Sequence, residues 1–286
     1  MSKVLVVGVS GMLGSAVYRL LSSSEGFSVT GTARSSTSLA ALPRNDNARI
    51  VSGVEVMETD RLVRLFMEEH PDVVINCVGI IKQLSAAKDP LTSIAINSLL
   101  PHRLAELCEL AGARLVQIST DCVFNGSRGG YREADFPDAD DLYGRTKLLG
   151  EVDYPHAITL RTSIIGHEIG SAVSLVDWFL SQPGPVVKGY RKAIYTGLPT
   201  VELARVIRDF VIPQPQMCGL WQVASDPINK FDLLQLIAKT YGKSIEIVPD
   251  DAVAIDRSLD GSRFREEAGY IAPAWPELVA RMHAAR

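Results

Sequence analysis

The chain has 286 residues, 47% of them hydrophobic, which is enough to bury one large core or a core with a small lobe. Its 29 basic and 33 acidic residues give a net charge of −4 and are spread along the whole length, so no basic stripe indicates nucleic-acid binding. The four cysteines lie far apart, which favours neither a disulfide framework nor a metal site and fits a reducing cytoplasm.

Short β-branched runs alternate with helix-patterned stretches, which predicts an α/β fold with a parallel sheet. The amino-terminal run is too short for a signal peptide, and no segment has the ~18 to 20 apolar residues of a membrane helix, so we expect a cytoplasmic protein without membrane contact. In the first helix, Leu13, Val17 and Leu21 share one face, which should pack on the sheet. The predicted early strands are Lys3–Val7, Ser28–Thr32, Arg49–Val51, Val73–Asn76, Arg114–Ser119 and Ala157–Arg161.

The regular alternation breaks at His167–Gly197, a segment richer in glycine and aromatic residues. It resumes with a helix at Thr200–Phe210, a strand at Leu220–Ala224 and a helix at Phe231–Tyr241, before a charged, irregular tail. We therefore expect a Rossmann-type doubly wound parallel sheet with a smaller substrate-binding lobe and a ligand cleft between them. The predicted division assigns residues 1–166 and 198–224 to the cofactor domain and residues 167–197 and 225–286 to the lobe.

A glycine-rich turn directly follows the first strand and opens the first helix. Glycines at such a turn let backbone N–H groups and the positive helix terminus approach a pyrophosphate, and the last glycine lets helix and strand pack closely. This pattern predicts dinucleotide binding. The predicted contact residues are Gly8, Ser10, Gly11, Met12, Leu13 and Gly14.

The second strand ends at Arg34, where NAD enzymes usually carry an acid that binds the ribose 2′-hydroxyl. A guanidinium at this point suits a 2′-phosphate, which favours NADP(H), with NAD(H) as the alternative. A solvated surface arginine is the other interpretation of Arg34.

Three further residues predict carbonyl chemistry. Tyr143 and Lys147 lie four apart, so on a helix both share one face, and a nearby ammonium would lower the pKa of the phenol. Such a phenol can donate a proton to a carbonyl oxygen as hydride reaches its carbon. Thr120 ends the fifth strand, where it can hydrogen-bond the same oxygen.

Together these motifs resemble the dTDP-4-dehydrorhamnose reductase family of extended short-chain dehydrogenases/reductases over most of the chain. The resemblance rests on Gly8–Gly14, Asn76–Gly79, Asn97, Ser119–Phe124, Tyr143–Lys147, Leu160–Ser163 and Leu220–Ser225. It implies Thr120, Tyr143 and Lys147 as catalytic residues, with Tyr143 and Lys147 also touching the cofactor. It implies further cofactor contacts at Cys77, Val78 and Gly79. Family members reduce the 4-keto group of a nucleotide-diphosphate 6-deoxy-sugar, and the resemblance suggests a homodimer.

Two departures from the family bear on the substrate. Cys122 stands where the rhamnose reductases usually have tyrosine and where sugar-nucleotide 4,6-dehydratases have glutamate, so dehydration is disfavoured. Cys122 with His167 resembles the GDP-fucose synthase type, in which a cysteine and a histidine move protons beside the ketone. The alternative is a small buried apolar residue and a loop histidine. Ile164 stands where the rhamnose reductases have a tryptophan, which leaves open a sugar other than dehydrorhamnose.

Cationic side chains offer contacts to the substrate diphosphate. Arg257 in the tail is the predicted phosphate ligand, and Lys82 with Gln83 is expected to face the substrate from the cofactor side. Three hypotheses follow: a 4-ketoreductase of a nucleotide-linked deoxy-sugar for surface polysaccharide or a glycosylated metabolite, a combined epimerase and reductase, and a cofactor-bound regulatory subunit without turnover. The regulatory hypothesis is disfavoured because the chain has Thr120, Tyr143 and Lys147 intact.

Overall fold

The computed structural model describes residues 1–36, 39–82, 88–170 and 172–286. The strands are β1 (Ser2–Val7), β2 (Phe27–Ala33), β3 (Ala48–Ser52), β4 (Val73–Asn76), β5 (Arg114–Thr120), β6 (Ala157–Thr162), β7 (Ile164–Ile165), β8 (Val186–Tyr195), β9 (Leu198–Pro199), β10 (Gly219–Gln222), β11 (Ile228–Asn229) and β12 (Glu246–Asp256). The α-helices are α1 (Met12–Ser22), α2 (Thr59–Glu69), α3 (Pro90–Ser93), α4 (Leu100–Ala111), α5 (Leu142–Leu149), α6 (Leu175–Ser181), α7 (Thr200–Val206), α8 (Lys230–Tyr241), α9 (Ser262–Ala268) and α10 (Trp275–Ala284).

Seven of these strands form one parallel sheet in the order β10-β6-β5-β4-β1-β2-β3. Chain order reverses between β1 and β4, and such a switch point leaves a crevice at the carboxyl ends of the strands. The predicted Rossmann-type doubly wound sheet is confirmed. The strand expected at Leu220–Ala224 lies at Gly219–Gln222, and the other main-sheet strands lie within two residues of the predicted positions.

Helices cover both faces of this sheet, which explains why its strands are apolar on both sides. On one face α1 packs beside α7, with Leu13, Val17 and Leu21 buried as predicted. On the other face, α2 packs beside α4, and a second core is built around residues such as Leu65 and Leu104. The helix expected at Thr200–Phe210 is α7 followed by a π-helical turn at Ile207–Val211.

A second, three-stranded sheet has the order β11-β8-β12. This second sheet corrects the expectations for two segments of the sequence. The segment that breaks the alternation contains α6 and β8, and the tail expected to be irregular contains β12, α9 and α10. The sequence of β12 does not show a strand pattern, because most of its residues are exposed, a proline and two adjacent aspartates interrupt it, and its register shifts between Asp250 and Ala254.

Among the helices of the described ranges, none has the length and apolar character needed to cross a membrane.

Candidate active site

Close backbone contacts shape the turn between β1 and α1. Gly8 has a φ of +92°, which favours glycine, and a Cβ atom there would lie 2.6 Å from Cγ2 of Val78. A Cβ atom on Gly14 would lie 2.1 Å from the carbonyl oxygen of Gly8. The predicted close approach of helix to strand at Gly14 is therefore confirmed, and the turn lies against the loop that follows β4.

The amino terminus of α1 is open to a ligand. Gly11 is its N-cap and supplies no side-chain cap, while Ser10 and Gly11 are exposed and Met12 is half-buried. Leu13 is buried and anchors the first turn in the core. Uncapped N–H groups at a helix start suit a pyrophosphate, so the turn fits a dinucleotide.

Arg34 directly follows β2 and is exposed at the edge of this crevice. No acidic residue occupies the positions from Ala33 to Ser36. The position therefore presents a cation and no carboxylate to a ribose 2′ group, and its contact with NADP(H) stays a prediction.

The loop Cys77–Gly79 is held beside the glycine turn by Asn97. The side-chain oxygen of Asn97 accepts a hydrogen bond from the backbone N–H of Ile80 at 2.9 Å, and its amide donates to the Ile80 carbonyl at 3.1 Å. Burial raises the pKa of Cys77 to about 12, so it stays a thiol. Asn97 thus positions the loop. The sequence signal for this role was that Asn97 is one of the residues that carry the family resemblance.

The three predicted catalytic residues meet at the carboxyl end of β5. Thr120 is the last residue of the strand, and its hydroxyl lies close enough to the phenol of Tyr143 on α5 to lower the pKa of that phenol. Lys147 lies one helical turn further, and its Nζ donates to the carbonyl oxygen of Ile118 at 2.7 Å. The structure therefore brings Thr120 close to Tyr143 and Lys147, which share α5.

Gly144 sets how closely α5 approaches β5. A Cβ atom on Gly144 would lie 2.2 Å from the carbonyl oxygen of Cys122, a backbone atom that cannot move aside. Asp141 caps the helix by accepting a hydrogen bond from the N–H of Gly144 at 2.8 Å. Gly144 therefore positions Tyr143 beside Thr120. The motif Tyr143–Lys147 includes Gly144, but the sequence did not reveal this role.

Burial raises the pKa of Tyr143 above its usual value, and the neighbouring Cys122 adds to the rise while Thr120 opposes it. We expected Lys147 to lower the pKa of Tyr143. In the described structure the Lys147 ammonium is instead bonded to the Ile118 carbonyl, and burial dominates. The phenol is therefore protonated near neutral pH, which is the form that donates a proton to a carbonyl.

Burial also lowers the pKa of Lys147 to about 8, and Glu151 opposes that shift. Because a lysine with a lowered pKa is charged below that value and neutral above it, we expect kcat/KM to fall as the pH rises through about 8. The arginine side chain in Lys147→Arg is charged over the whole pH range, so this variant should lack the fall in kcat/KM. The exposed control Lys192→Arg should retain that fall. A pH-rate profile of the three proteins checks this, and an identical alkaline limb in Lys147→Arg would contradict it.

The structure does not bring Cys122 and His167 together as a proton-exchanging pair. Burial and the charge of Asp121 raise the pKa of Cys122 to about 12, so it is a neutral thiol. His167 engages both ring nitrogens elsewhere, Nδ1 with Asp177 at 2.6 Å and Nε2 with the Tyr241 hydroxyl at 2.8 Å. To move a proton, His167 would have to break one of these bonds.

The predicted phosphate-binding cations flank the start of α5. Lys82 forms an ion pair with Asp141 at 2.6 Å. Nε of Arg257 donates to the carbonyl oxygen of Phe124 at 2.8 Å, and the charge of Arg257 opposes the rise in the pKa of Cys122. Both cations therefore lie close to the catalytic residues. Gln83 lies outside the described residues.

A buried ionic network beneath the site was also missed. Arg161 is fully buried and pairs with Glu151 at 2.6 Å, and the Ser119 hydroxyl donates to the same carboxylate at 2.6 Å. Glu151 thereby fixes a negative charge one turn beyond Lys147. The spacing of Lys147 and Glu151 was visible in the sequence, whereas their burial was not.

Comparison with known proteins agrees with this geometry. A family model described as the RmlD substrate binding domain matches residues 2–282. "Probable low-salt glycan biosynthesis reductase Agl14" of Haloferax volcanii is 28% identical over 98% of this chain and 97% of its own length. The solved dTDP-4-dehydrorhamnose reductase of Bacillus anthracis in complex with NADP has a TM-score of 0.79 at 20% identity, covering 100% of this chain and 99% of that one.

Two other relatives match about half of the chain. A dTDP-4-dehydrorhamnose reductase of Streptomyces griseus is 36% identical over 51% of this chain and 43% of its own length. Methionine adenosyltransferase 2 subunit beta of Bos taurus is 29% identical over 52% of this chain and 41% of its own. Since the family model spans nearly the whole sequence, the chain belongs to the RmlD substrate binding domain family.

Proposed function

We propose that the protein is an NADPH-dependent reductase of the 4-keto group of a nucleotide-diphosphate 6-deoxy-sugar, working in surface polysaccharide or deoxysugar biosynthesis. The observation that carries the proposal is the position of Thr120 beside the phenol of Tyr143 at the end of β5, with Lys147 one turn away. Two relatives named as reductases support the reaction class.

The open glycine turn and Arg34 fit NADP(H), with NAD(H) as the weaker candidate. When bound, the nicotinamide supplies the hydride. The N–H groups at Met12 and Leu13 would bind its pyrophosphate, and Arg34 would pair with the 2′-phosphate. The loop Cys77–Gly79 would line the cofactor crevice.

The chain's own residues then handle the proton. Tyr143 and Thr120 hydrogen-bond the ketone oxygen, and Tyr143 donates its proton to that oxygen as negative charge develops there. The raised pKa of Tyr143 keeps this proton in place until it is needed. Lys147 uses one N–H on Ile118 and keeps two for cofactor hydroxyls, and its charge stabilises the phenolate that remains.

We assign substrate recognition to Lys82 and Arg257, which would pair with the two phosphates. Residues 1–166 and 198–224 would then hold the cofactor, and residues 167–197 and 225–286 the sugar nucleotide. β8 and β12, the paired strands of the second sheet, come from the two parts of this lobe.

Two alternatives are separable by experiment. An epimerase would use Cys122 and His167, whose thiol and hydrogen-bonded ring offer no ready base. It would bring solvent deuterium into the carbons beside the ketone, with loss of exchange in Cys122→Ser. A regulatory subunit, favoured by the bovine relative, would co-purify with a partner enzyme and consume no cofactor.

The test of the proposed function is NADPH oxidation with dTDP-, UDP- and GDP-linked 4-keto-6-deoxy sugars. We expect turnover on one nucleotide series. Failure on every sugar, with tight NADPH binding intact, would favour the regulatory role.

Arg34 should determine cofactor preference. Replacing it in Arg34→Asp removes a charge-assisted contact worth about 1.5 to 3 kcal/mol and adds repulsion, so KM for NADPH should rise at least about tenfold. KM for NADH should stay the same or fall, because NADH has no 2′-phosphate. Arg64→Gln, a surface arginine on α2, is the control and should change neither value. Equal effects on both cofactors would contradict the assignment.

A further inference from the structure

A groove of about 940 Å³ runs along the outer face of α1, away from the candidate reaction site. Its walls are α1, the chain around α6, α7 and the end of α10. Met12 of the predicted cofactor contacts and His167 of the alternative epimerase pair line it. The groove lining does not include Thr120, Tyr143, Lys147 or Arg257. We call this feature the α1 groove.

Three guanidiniums in the α1 groove have no carboxylate partner within the part of the chain that the structure describes. They belong to Arg19 on α1, Arg205 on α7 and Arg286 at the carboxyl end, and all three are exposed. Arg281 also lines the groove, but it pairs with Glu202 at 2.6 Å. The groove therefore presents exposed guanidinium groups from three separate elements.

Each of the two acidic residues of the groove is hydrogen-bonded within its own segment. Asp177 accepts hydrogen bonds from His167 at 2.6 Å and from the N–H of Glu168 at 2.7 Å. The Glu168 carboxylate accepts from the N–H groups of Val173 and Ser174 at 2.8 and 3.2 Å. Both carboxylates are engaged in ordering the wall, so an anionic ligand would meet mainly the arginines.

About half of the residues that line the groove are apolar. The apolar lining residues include Ala16, Leu20, Ile169, Leu180, Val201 and Met282. A ligand that matches this surface has an apolar or planar body and at least two negative charges. Arginine forks suit phosphates, and the volume is that of a small-molecule site.

We propose that the α1 groove binds a nucleoside diphosphate or one of its esters, at a site distinct from the one that performs the reaction. The phosphates pair with Arg19, Arg205 and Arg286, and the base or sugar packs on the apolar lining. The proposal does not rest on the reductase assignment, since none of the catalytic residues takes part in the groove.

The probe is UDP, titrated calorimetrically into the full chain saturated with NADP+, so that the dinucleotide crevice is filled. We expect a UDP-binding event that Arg19→Gln/Arg205→Gln weakens at least tenfold, because two charged contacts are lost. Arg61→Gln/Arg64→Gln on α2 removes the same charge outside the groove and should bind like the wild type. Circular dichroism checks that both pairs are folded, which we expect because Arg19, Arg205 and Arg64 are exposed and Arg61 is only half-buried.

Two results would overturn the proposal. One is UDP binding that is identical in the wild type and Arg19→Gln/Arg205→Gln. The other is pyrophosphate binding as tightly as UDP, which would show that the apolar lining recognises nothing. UDP held at the reaction site is separated from the groove by Arg257→Gln, which should leave the groove event intact. Failure of the reductase proposal would appear in NADPH oxidation and leave this titration unchanged.

Discussion

Tyr143→Phe should lower kcat by about 10²- to 10⁴-fold, the usual contribution of a positioned general acid. The substitution removes the hydroxyl that faces Thr120 and leaves the ring, so no cavity forms and the fold should be unchanged. NADPH affinity should change little, because the pyrophosphate and 2′-phosphate contacts lie elsewhere. Stopped-flow NADPH oxidation at saturating substrate, with a cofactor titration, measures both quantities.

The matched control is Tyr154→Phe, which removes a phenol that is bonded to His102 at 3.0 Å and lies outside the site. It should retain activity within about twofold, since surface changes of this kind have small effects. A Tyr143→Phe enzyme that keeps more than a tenth of the wild-type kcat would show that another group delivers the proton.

Gly14→Ala should weaken NADPH binding at least tenfold and destabilise the fold by about 1 to 3 kcal/mol, the usual cost of overpacking. The added Cβ would lie 2.1 Å from the Gly8 carbonyl oxygen and 3.1 Å from Cα of Val9, so α1 must move away from the strand. That movement displaces the helix terminus from the pyrophosphate position. Fluorescence titration with NADPH and thermal unfolding would record the two effects.

Gly184→Ala is the control for this substitution. A Cβ atom at Gly184 meets nothing within 4 Å, and its φ lies outside the positive region. Its stability should stay within about 0.5 kcal/mol of the wild type and its NADPH affinity should not change. If Gly14→Ala matched the control in both measurements, the turn would not set the position of α1.

The main sheet and the glycine turn were predictable because their signals are local. The buried parallel strands appear as short β-branched runs, and Gly8 to Gly14 opens the first helix directly after one of them. Thr120, Tyr143 and Lys147 could be grouped because parallel strands present their carboxyl ends at one edge. The positions of these elements follow from patterns a few residues long.

Features that depend on distant contacts were not predictable. β12 is mostly exposed, and its pairing with β8 defines it as a strand. The ring of His167 is fixed by Tyr241, 74 residues away, so spacing alone suggested a partnership with Cys122 that the structure does not form. The direction of the Tyr143 pKa shift depends on burial, which a helical spacing cannot reveal.

The central claim is that hydride reaches the ketone carbon while Tyr143 supplies the proton to its oxygen. It is tested most directly by reducing an accepted 4-keto sugar nucleotide with NADPH deuterated at the transferred position and locating the label by NMR. We expect deuterium at C4 of the sugar, with no solvent hydrogen entering the neighbouring carbons. Label absent from C4, or solvent exchange beside the ketone, would contradict it.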